Sequence, residues 1–355
     1  MKKKHNAISL FSSAGIGEYF LEESSIQVKV ANEIILERAE CFNHFYPNVE
    51  MICGDIKQKE IKKEILKNIK DHNCSILIAT PPCQGLSTLG KNKKQSQFIS
   101  DQRNYLIFDI LEIIDNCDFE YILIENVPKF SSMYFPFQQE FLILEDILKI
   151  KYSSDYIIKL EILDAKHYGI PQTRPRSIVK LFKKGLNWEN PKKQEVITLE
   201  KAIGDLPSLE SGETSHIKNH YSKIHNKRIT DALIHTPTGQ SAMKNEYWYP
   251  KKEDGSKIRG FHNTYKRMRW DQPAHARTTY SSSLSSHNNV HPGRKNADGQ
   301  YSDARVLSLY ETYIVSSLPK DFDFPDKYTD TFKYTMIGEA IPPLMLKAIM
   351  DMIGD

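Results

Sequence analysis

The sequence has few cysteines and lacks any long apolar run. Its five cysteines, an odd number at irregular spacing, argue against a disulfide framework, and no pair has the spacing of a metal site. No apolar run approaches the roughly 20 residues that a membrane helix needs. The basic start MKKKHNAISLF continues into a strand-like run without a cleavage site, so no signal peptide is expected. These absences predict a metal-free protein of a reducing cytoplasm.

The net charge of the 355-residue chain is also small, only +3, but it is unevenly distributed. From His216 to Lys295 there are 15 lysines and arginines against 5 acidic residues, a surplus of +10, so the remainder carries −7. A solvated surface would explain such a run. We prefer a polyanionic partner, because the basic residues are confined to one segment.

The first 180 residues alternate strand-like and helix-like segments. Near-continuous apolar strands between amphipathic helices predict an α/β fold, with a mostly parallel sheet covered by helices on both faces. In such a sheet the ligand lies at the carboxyl ends of the strands. The strand-like runs are AISLFSS, QVKVANEI, EMICGDI, CSILIAT, EYILIENV, DYIIKLEIL and RSIVKLF.

The strand–helix alternation ends at Lys184. Beyond it, proline, glycine, serine and aromatic residues become frequent, and eight of the twelve histidines lie between His216 and His291. We therefore predict a first domain of residues 1–184, completed by a C-terminal helix at about 328–355. Residues 185–327 are predicted to form a second, smaller and irregular domain.

The first three strand ends carry the residues of a nucleoside pocket. FSSAGIGE places Gly15 and Gly17 in a turn where backbone N–H groups can approach a ligand. Glu33 follows the second strand and could accept both ribose hydroxyls, while Asp55 and Ile56 follow the third and suit an adenine ring. Helix capping explains each acid singly, and a dinucleotide-dependent oxidoreductase would share all three features.

The end of the fourth strand favours a group-transfer enzyme over an oxidoreductase. TPPCQG places Cys83 directly after two prolines, which fix φ and so set the direction of the thiol. A lone cysteine is commonly a small buried hydrophobe, but at the mouth of a nucleoside pocket a preorganised thiol suits nucleophilic attack. Because a thiol has an ordinary pKa near 8.5, the site must lower that pKa or activate the electrophile.

The fifth strand and the segment before the seventh supply groups for that activation. YILIENV ends in Glu125, and a carboxylic acid at the end of a buried apolar strand can retain a proton and donate it to a ring nitrogen. In HYGIPQTRPRS, Arg174 and Arg176 flank Pro175 on one side of an extended segment. Arginine suits phosphates and base oxygens, although an exposed turn would explain this segment too.

Taken in order, these motifs resemble those of the DNA (cytosine-5-)-methyltransferases of bacterial type II restriction–modification systems. Two positions depart from the family pattern: Glu339 stands where the family has asparagine, and Ser13 where many members have glycine. Both departures bear on contacts to the methionine part of the cofactor and not on the chemistry. The resemblance runs the full length of the chain through LFSSAGIG, NEI, GDI, PPCQGLS, DQRNYLIFDIL, ENV, HYGIPQTRPR, HP at 291–292, RVLSLYE and MIGEAIPP.

The resemblance implies a Rossmann-like, S-adenosylmethionine-dependent methyltransferase fold, with a mixed sheet and a target-recognition domain at 185–327. The implied cofactor is S-adenosylmethionine, with S-adenosylhomocysteine as the product and no metal. The residues implied to bind the cofactor are Phe11, Ala14, Gly15, Ile16, Gly17, Glu33, Ile34, Asp55, Ile56, Pro81, Leu106 and Glu339. The residues implied to contact DNA are Gln84, Ser87, Lys91, Lys93, Lys94 and Gln172.

The resemblance also implies chemistry on a cytosine that is rotated out of duplex DNA. Cys83 attacks carbon 6, Glu125 donates to ring nitrogen 3, carbon 5 takes the methyl group, and water or hydroxide then removes the proton. Arg176 is expected to hold the flipped base or its phosphate, and Arg174 to support the site. The loop STLGKNKKQSQ is expected to close over the DNA backbone, although an ordinary surface loop can have this composition.

Several alternatives to this enzyme share part of the evidence. An RNA cytosine methyltransferase uses the same motifs, but its short Cys-Phe-Thr signature is not found. A catalytically silent DNA-binding protein would not need Cys83, Glu125 and Arg176, and an oxidoreductase would not need the Cys83–Glu125 pair. The expected protein is a monomer of the bacterial cytoplasm that binds double-stranded DNA and has a restriction endonuclease as its functional partner.

Overall fold

The computed structural model describes residues 4–82 and 102–354. These residues divide into two compact units. Unit 1 comprises Met1–Asp164, Pro175–Lys192 and Met345–Asp355, and unit 2 comprises Ala165–Arg174 and Lys193–Leu344. None of the described helices is long and apolar enough to cross a membrane.

Unit 1 is built on one mixed sheet of seven strands within the described residues. Its spatial order is β3-β2-β1-β4-β5-β10-β8, and β10 runs antiparallel to both of its neighbours. The predicted α/β fold is confirmed, since each of the seven strand-like runs forms one of these strands. The strands are β1 (His5–Leu10), β2 (Ile26–Glu33), β3 (Glu50–Cys53), β4 (Ile76–Ala79), β5 (Tyr121–Asn126), β8 (Tyr156–Asp164) and β10 (Pro175–Lys183).

Apolar side chains between the sheet and the helices form the core of unit 1. Strands β4 and β5 are buried at every position, which explains why they are apolar without alternation. The helices bury one face each, so their apolar residues recur at helical spacing. These helices are α1 (Leu36–Phe45), α2 (Lys59–Asp71), α3 (Leu106–Asp115) and α4 (Leu144–Tyr152).

A hairpin in unit 1 was not predicted from the sequence. Strands β6 (Tyr134–Phe137) and β7 (Glu140–Ile143) pair antiparallel as a separate two-stranded sheet. Gln138 and Gln139 form its turn, both with positive φ. The hairpin escaped prediction because YFPF contains a proline and its turn lacks glycine, the two usual strand and turn signals.

Unit 2 is irregular, as the sequence predicted for much of this region. It contains a two-residue parallel pair, β9 (Gln172–Thr173) with β11 (Ala274–His275), and short helices. A buried guanidinium organises part of its interior: Arg305 contacts Asp303 at 2.7 Å and Glu311 at 2.6 Å. The helices are α5 (Leu199–Ile203), α6 (Lys227–Ile234), α7 (Leu309–Val315) and α8 (Asp330–Glu339); α9 (Pro343–Met350) is the last helix described.

The unit boundaries differ from the predicted domain boundaries. Residues 165–174 group with unit 2, and the chain returns to unit 1 at Met345, later than the predicted 328. Contacts within each unit explain the difference. Helix α8 packs on α7, whereas Trp188 Nε1 donates to the carbonyl of Ile349 at 2.9 Å. The recognition role of residues 185–327 stays a prediction.

Candidate active site

The turn after β1 adopts a backbone conformation that few residues tolerate. Phe11, Ser13 and Gly15 have φ values of 61°, 50° and 76°. Backbone hydrogen bonds hold this turn, since the Ser12 N–H donates to the Asn32 carbonyl at 3.1 Å and the Gly15 N–H donates to the Ser12 carbonyl at 2.9 Å. Glycine would suit position 13 better than serine, because a left-handed conformation costs a non-glycine residue about 1–2 kcal/mol.

Gly15 is also required by close packing. The Tyr46 hydroxyl donates to the carbonyl of Gly15 at 2.7 Å. A Cβ atom at this glycine would lie 2.3 Å from the Tyr46 ring and 2.8 Å from Phe42. The turn after β1 is thereby held against α1, with its geometry set before any ligand binds.

Glu33 at the end of β2 has a fixed carboxylate. Its Oε2 accepts from the Ser13 N–H at 3.0 Å, and its Oε1 accepts from the Ile35 N–H at 2.8 Å. Each oxygen retains a second lone pair, so the carboxylate can still accept from two ligand hydroxyls. The adjacent Ile34 is 59% exposed, which leaves an apolar surface beside this acceptor.

The end of β3 provides a second carboxylate. Asp55 is half-buried, and its Oδ1 accepts from the Lys57 N–H at 3.0 Å. Ile56 is 2% exposed and belongs to the core of unit 1, so it supports the turn from below. Asp55 and the exposed Ile34 thus offer one polar and one apolar group, which are the requirements of an adenine.

Glu125 and Arg176, which the sequence analysis assigned separate roles, form an ion pair. Arg176 Nε lies 2.7 Å from Glu125 Oε1, and both side chains are largely buried. Glu125 pairs with Ile178 in the antiparallel register, so Arg176 is its diagonal neighbour on the same face of the sheet. The role of Glu125 as a proton donor stays a prediction.

Asn126 holds the chain at the Pro-Pro corner. Its Nδ2 donates to the carbonyl of Pro81 at 3.0 Å, while its Oδ1 accepts from the Val127 N–H at 2.8 Å. The Thr80 hydroxyl donates to the carbonyl of Phe11 at 3.2 Å. Since β1 and β4 are neighbours where the strand order reverses, these bonds lie at the switch point of the sheet, the usual ligand site of such folds.

The comparisons with known proteins agree with this geometry. The chain matches the family described as C-5 cytosine-specific DNA methylase over residues 5–355. It belongs to this family. It is 44% identical to the Type II methyltransferase M1.HgaI of Avibacterium volantium over 98% of each chain. It is 27% identical to M.DdeI of Desulfomicrobium norvegicum, covering 98% of this chain and 88% of that one.

Solved structures of low sequence identity share the fold. The methyltransferase EhMeth of Entamoeba histolytica has a TM-score of 0.65 at 17% identity, covering 98% of this chain and 97% of that one. A mutant of Spodoptera frugiperda DNMT2 has a TM-score of 0.62 at 16% identity, covering 97% and 98%. The resemblance inferred from the motifs is therefore confirmed, and the protein is a DNA (cytosine-5-)-methyltransferase.

Arg174 of this methylase lies in unit 2, where its guanidinium group donates to backbone carbonyls. Its Nη1 donates to the carbonyl of Arg277 at 2.6 Å, and its Nη2 donates to the carbonyls of Gly338 at 2.9 Å and Ala340 at 2.8 Å. The last carbonyls of a helix have no intrahelical partner, so Arg174 caps α8. A Cβ at Gly338 would lie 2.3 Å from the backbone of Thr278, which explains the glycine of this motif.

Gln172 is 1% exposed, and its amide group is bonded within unit 2. Its Nε2 donates to the carbonyl of Val315 at 3.0 Å, and its Oε1 accepts from the Arg277 N–H at 3.1 Å. This placement indicates that Gln172 positions the segment around Arg277. Its contact with DNA stays a prediction, and the burial does not favour it.

The remaining predicted residues are placed as follows. Ala14, Ile16, Gly17 and Leu106 are buried in unit 1. Glu339 ends α8 in unit 2, and its contact with the cofactor stays a prediction. The predicted residues that lie outside the described residues are Cys83, Gln84, Ser87, Lys91, Lys93 and Lys94.

Three residues near these motifs were not assigned from sequence. Asn126 lies within the ENV motif, but the motif does not predict its hydrogen bond to Pro81. Glu18 follows the glycine turn and is buried against Ser9, whose hydroxyl donates to Glu18 Oε1 at 2.5 Å. Arg277 is buried in unit 2 and donates to Asn289 Oδ1 at 2.7 Å. No local pattern marks these positions, because their partners are 45, 9 and 12 residues away in sequence.

Proposed function

We propose that this methylase transfers a methyl group from S-adenosylmethionine to carbon 5 of a specific cytosine in duplex DNA, in a bacterial cytoplasm. The cytosine is rotated out of the helix and forms a transient covalent adduct with Cys83. Type II relatives such as M1.HgaI support a role in protecting host DNA from a partner restriction endonuclease. The ion pair between Glu125 and Arg176, in a unit with the glycine turn and Glu33, carries the proposal.

The residues of unit 1 fit the cofactor. Glu33 would accept from the ribose hydroxyls, Asp55 from the exocyclic amine, and Ile34 would cover the adenine. The turn that contains Phe11, Ser13 and Gly15 has the backbone geometry to approach the remainder of the molecule. When bound, S-adenosylmethionine supplies an electrophilic methyl group; within the described residues no cluster suited to a metal is found.

The protein groups activate the cytosine ring. The Cys83 thiolate attacks carbon 6, and Glu125 stabilises the charge that develops by sharing a proton with ring nitrogen 3. The proposal requires that the carboxyl group of Glu125, which is paired with Arg176, holds a proton when the base is bound. Asn126 fixes the Pro81 carbonyl and thereby the approach of the chain to Cys83.

The experiment is expression of the protein in a host without cytosine methylation, followed by bisulfite sequencing of the host DNA. We expect one methylated sequence motif for the native chain and none for Cys83→Ser, because an alkoxide is far harder to form than a thiolate. Cofactor binding by the serine variant, measured by calorimetry, is the control for folding. Methylation by Cys83→Ser at a tenth of the native rate would exclude Cys83 as the nucleophile.

A further inference from the structure

Seven of the 15 cations of the basic segment from His216 to Lys295 are ion-paired or buried within unit 2. Five of the 15 form ion pairs, and Arg267 and Arg277 are buried. Of the eight that remain without an ion pair in the described residues, six lie between residues 244 and 266. They are Lys244, Lys251, Lys252, Lys257, Arg259 and Lys266. The charge available to a polyanion is therefore concentrated in a much shorter segment than the sequence indicates.

The centre of that segment is a small antiparallel hairpin of residues 249–258. Lys252 N–H donates to the Ser256 carbonyl at 2.8 Å, and Ile258 N–H donates to the Pro250 carbonyl at 2.9 Å. Asp254 Oδ1 accepts from the Ser256 N–H at 2.9 Å, and Gly255 has a φ of 81°. These bonds fix the turn, so the side chains of the hairpin have defined positions.

The hairpin places two lysines directly opposite each other. Lys251 and Lys257 are bridge partners, and the flanking hydrogen bonds make them a non-hydrogen-bonded pair, the kind in which side chains are closest. Their Nζ atoms lie 5.3 Å and 4.8 Å from the ring centroid of Tyr249. Like charges directly opposite destabilise a hairpin. A bound phosphate between these two ammonium groups would turn this repulsion into an attraction.

Exposed aromatic residues continue this surface toward α6. Tyr247 is 80% and Trp248 is 49% exposed, and the Trp248 ring stacks on His235 at 4.2 Å between centroids. Asn245 Nδ2 donates to the Trp248 carbonyl at 2.7 Å, which holds the backbone beside the stack. Exposed tyrosine and tryptophan next to unpaired lysines are suited to an interface with a polyanion.

We propose that the hairpin of residues 249–258 is the element of unit 2 that contacts the DNA backbone, with Lys251 and Lys257 bound to phosphate. This inference rests on the proposed function, because it takes duplex DNA as the substrate. The paired cations Lys218, Lys227 and Arg228 make no such contact, since their charge is already engaged by Asp323, Asp231 and Glu253. The buried Arg267 and Arg277 contribute to folding of unit 2.

The test measures the affinity of the full chain for a duplex that carries the methylated motif, at several salt concentrations. The variant Lys251→Gln with Lys257→Gln should lower the slope of log affinity against log salt by about 1.8, since each phosphate contact contributes about 0.9. At 0.1 M salt its affinity should fall at least about tenfold. The matched control, Lys218→Gln with Lys227→Gln, removes the same charge and should retain the native slope.

Folding does not confound this test. The glutamine variant loses both the like-charge repulsion and the two contacts with Tyr249, which oppose each other, so its melting temperature should stay close to that of the native chain. The arginine variant, Lys251→Arg with Lys257→Arg, keeps the charge and should keep the native slope. A native slope in the glutamine variant, or an equal loss in the matched control, would overturn the proposal. If the native chain methylates no duplex DNA, the proposed function itself fails, which is a different result.

Discussion

Replacing Glu18 by glutamine should stabilise the protein at neutral and alkaline pH. Glu18 is 7% exposed, and burial raises the pKa of its carboxyl group from 4.5 to about 7, although the Ser9 hydroxyl bond opposes the rise. One pKa unit corresponds to about 1.4 kcal/mol, so the full rise is equivalent to about 3 kcal/mol. Glutamine resembles the protonated acid and cannot ionise, so it removes this cost.

The sign of the effect follows from proton binding. Between pH 4.5 and 7 the folded chain binds more protons at Glu18 than the unfolded chain does, so the stability contributed by this group falls as pH rises. Well above pH 7 the stability contributed by protonated Glu18 is fully lost. We therefore expect Glu18→Gln to exceed the native chain in free energy of unfolding by about 3 kcal/mol at pH 8, and by little at pH 4.5.

Urea unfolding of both chains at pH 5 and pH 8 measures this difference. Taking the difference between the two chains cancels the titration of other groups, such as His225, whose pKa burial lowers to about 4. The exposed Glu22 lies on the same short helical segment, so Glu22→Gln is a matched control for the loss of one carboxylate. If Glu18→Gln differs from the native chain equally at pH 5 and pH 8, burial does not govern the ionisation of Glu18.

The remaining site residues give three further predictions. Arg176→Gln should lower the rate of methyl transfer about 100-fold, as for loss of one preorganised electrostatic contact, measured by incorporation of labelled methyl groups into DNA; an unchanged rate would remove Arg176 from the site. Glu33→Ala and Asp55→Ala should each weaken S-adenosylmethionine binding by about 1–3 kcal/mol in calorimetry, and native affinity in both would contradict the nucleoside pocket. Asn126→Ala, which frees the Pro81 carbonyl, should lower kcat about tenfold with the KM for cofactor within twofold; a changed KM with native kcat would contradict a positioning role.

The sheet of unit 1 could be predicted because its signal is local. Each of its strands is an apolar run of four to nine residues, and the helices between them are amphipathic. The β6–β7 hairpin lacks that signal, since Tyr134 and Phe141 are exposed and Pro136 interrupts the first strand. The hairpin forms because two strands of weak propensity pair with each other, and no local sequence pattern predicts such pairing.

The candidate site could be predicted residue by residue but not contact by contact. Glu125 and Arg176 are 51 positions apart, and only the antiparallel register of β10 makes them diagonal neighbours. Spacing around Pro175 predicted that Arg174 and Arg176 serve one site, which stays a prediction. The spacing did not predict that Arg174 caps α8 or that Arg176 pairs with Glu125. Buried arginines satisfied by carbonyl groups have no sequence signature, because any residue supplies a carbonyl.

The structure also determines where a recognition segment can be exchanged between related enzymes. An exchange that ends at Asp303 would separate this residue from Arg305 and Glu311, which are buried with it. Removing one partner of a buried ion pair costs about 3–5 kcal/mol, so a chimera that loses the acid at position 303 is expected to be destabilised by that amount. An exchange of residues 226–289 begins at the cap of α6 and leaves this cluster and Arg174 native.

We expect the chimera with residues 226–289 from a related methylase to fold, to retain methyl transfer, and to methylate a different sequence motif. The chemistry should survive because Glu125 and Arg176 lie in unit 1. Specificity should change because the exchanged residues include the hairpin of residues 249–258 and the serine-rich loop that Asn289 holds through the carbonyls of Ser281 and Ser283. Each base contact discriminates by about 1–3 kcal/mol, so loss of a few suffices. Bisulfite sequencing reads the motif, and an active chimera that keeps the native motif would place recognition outside this segment.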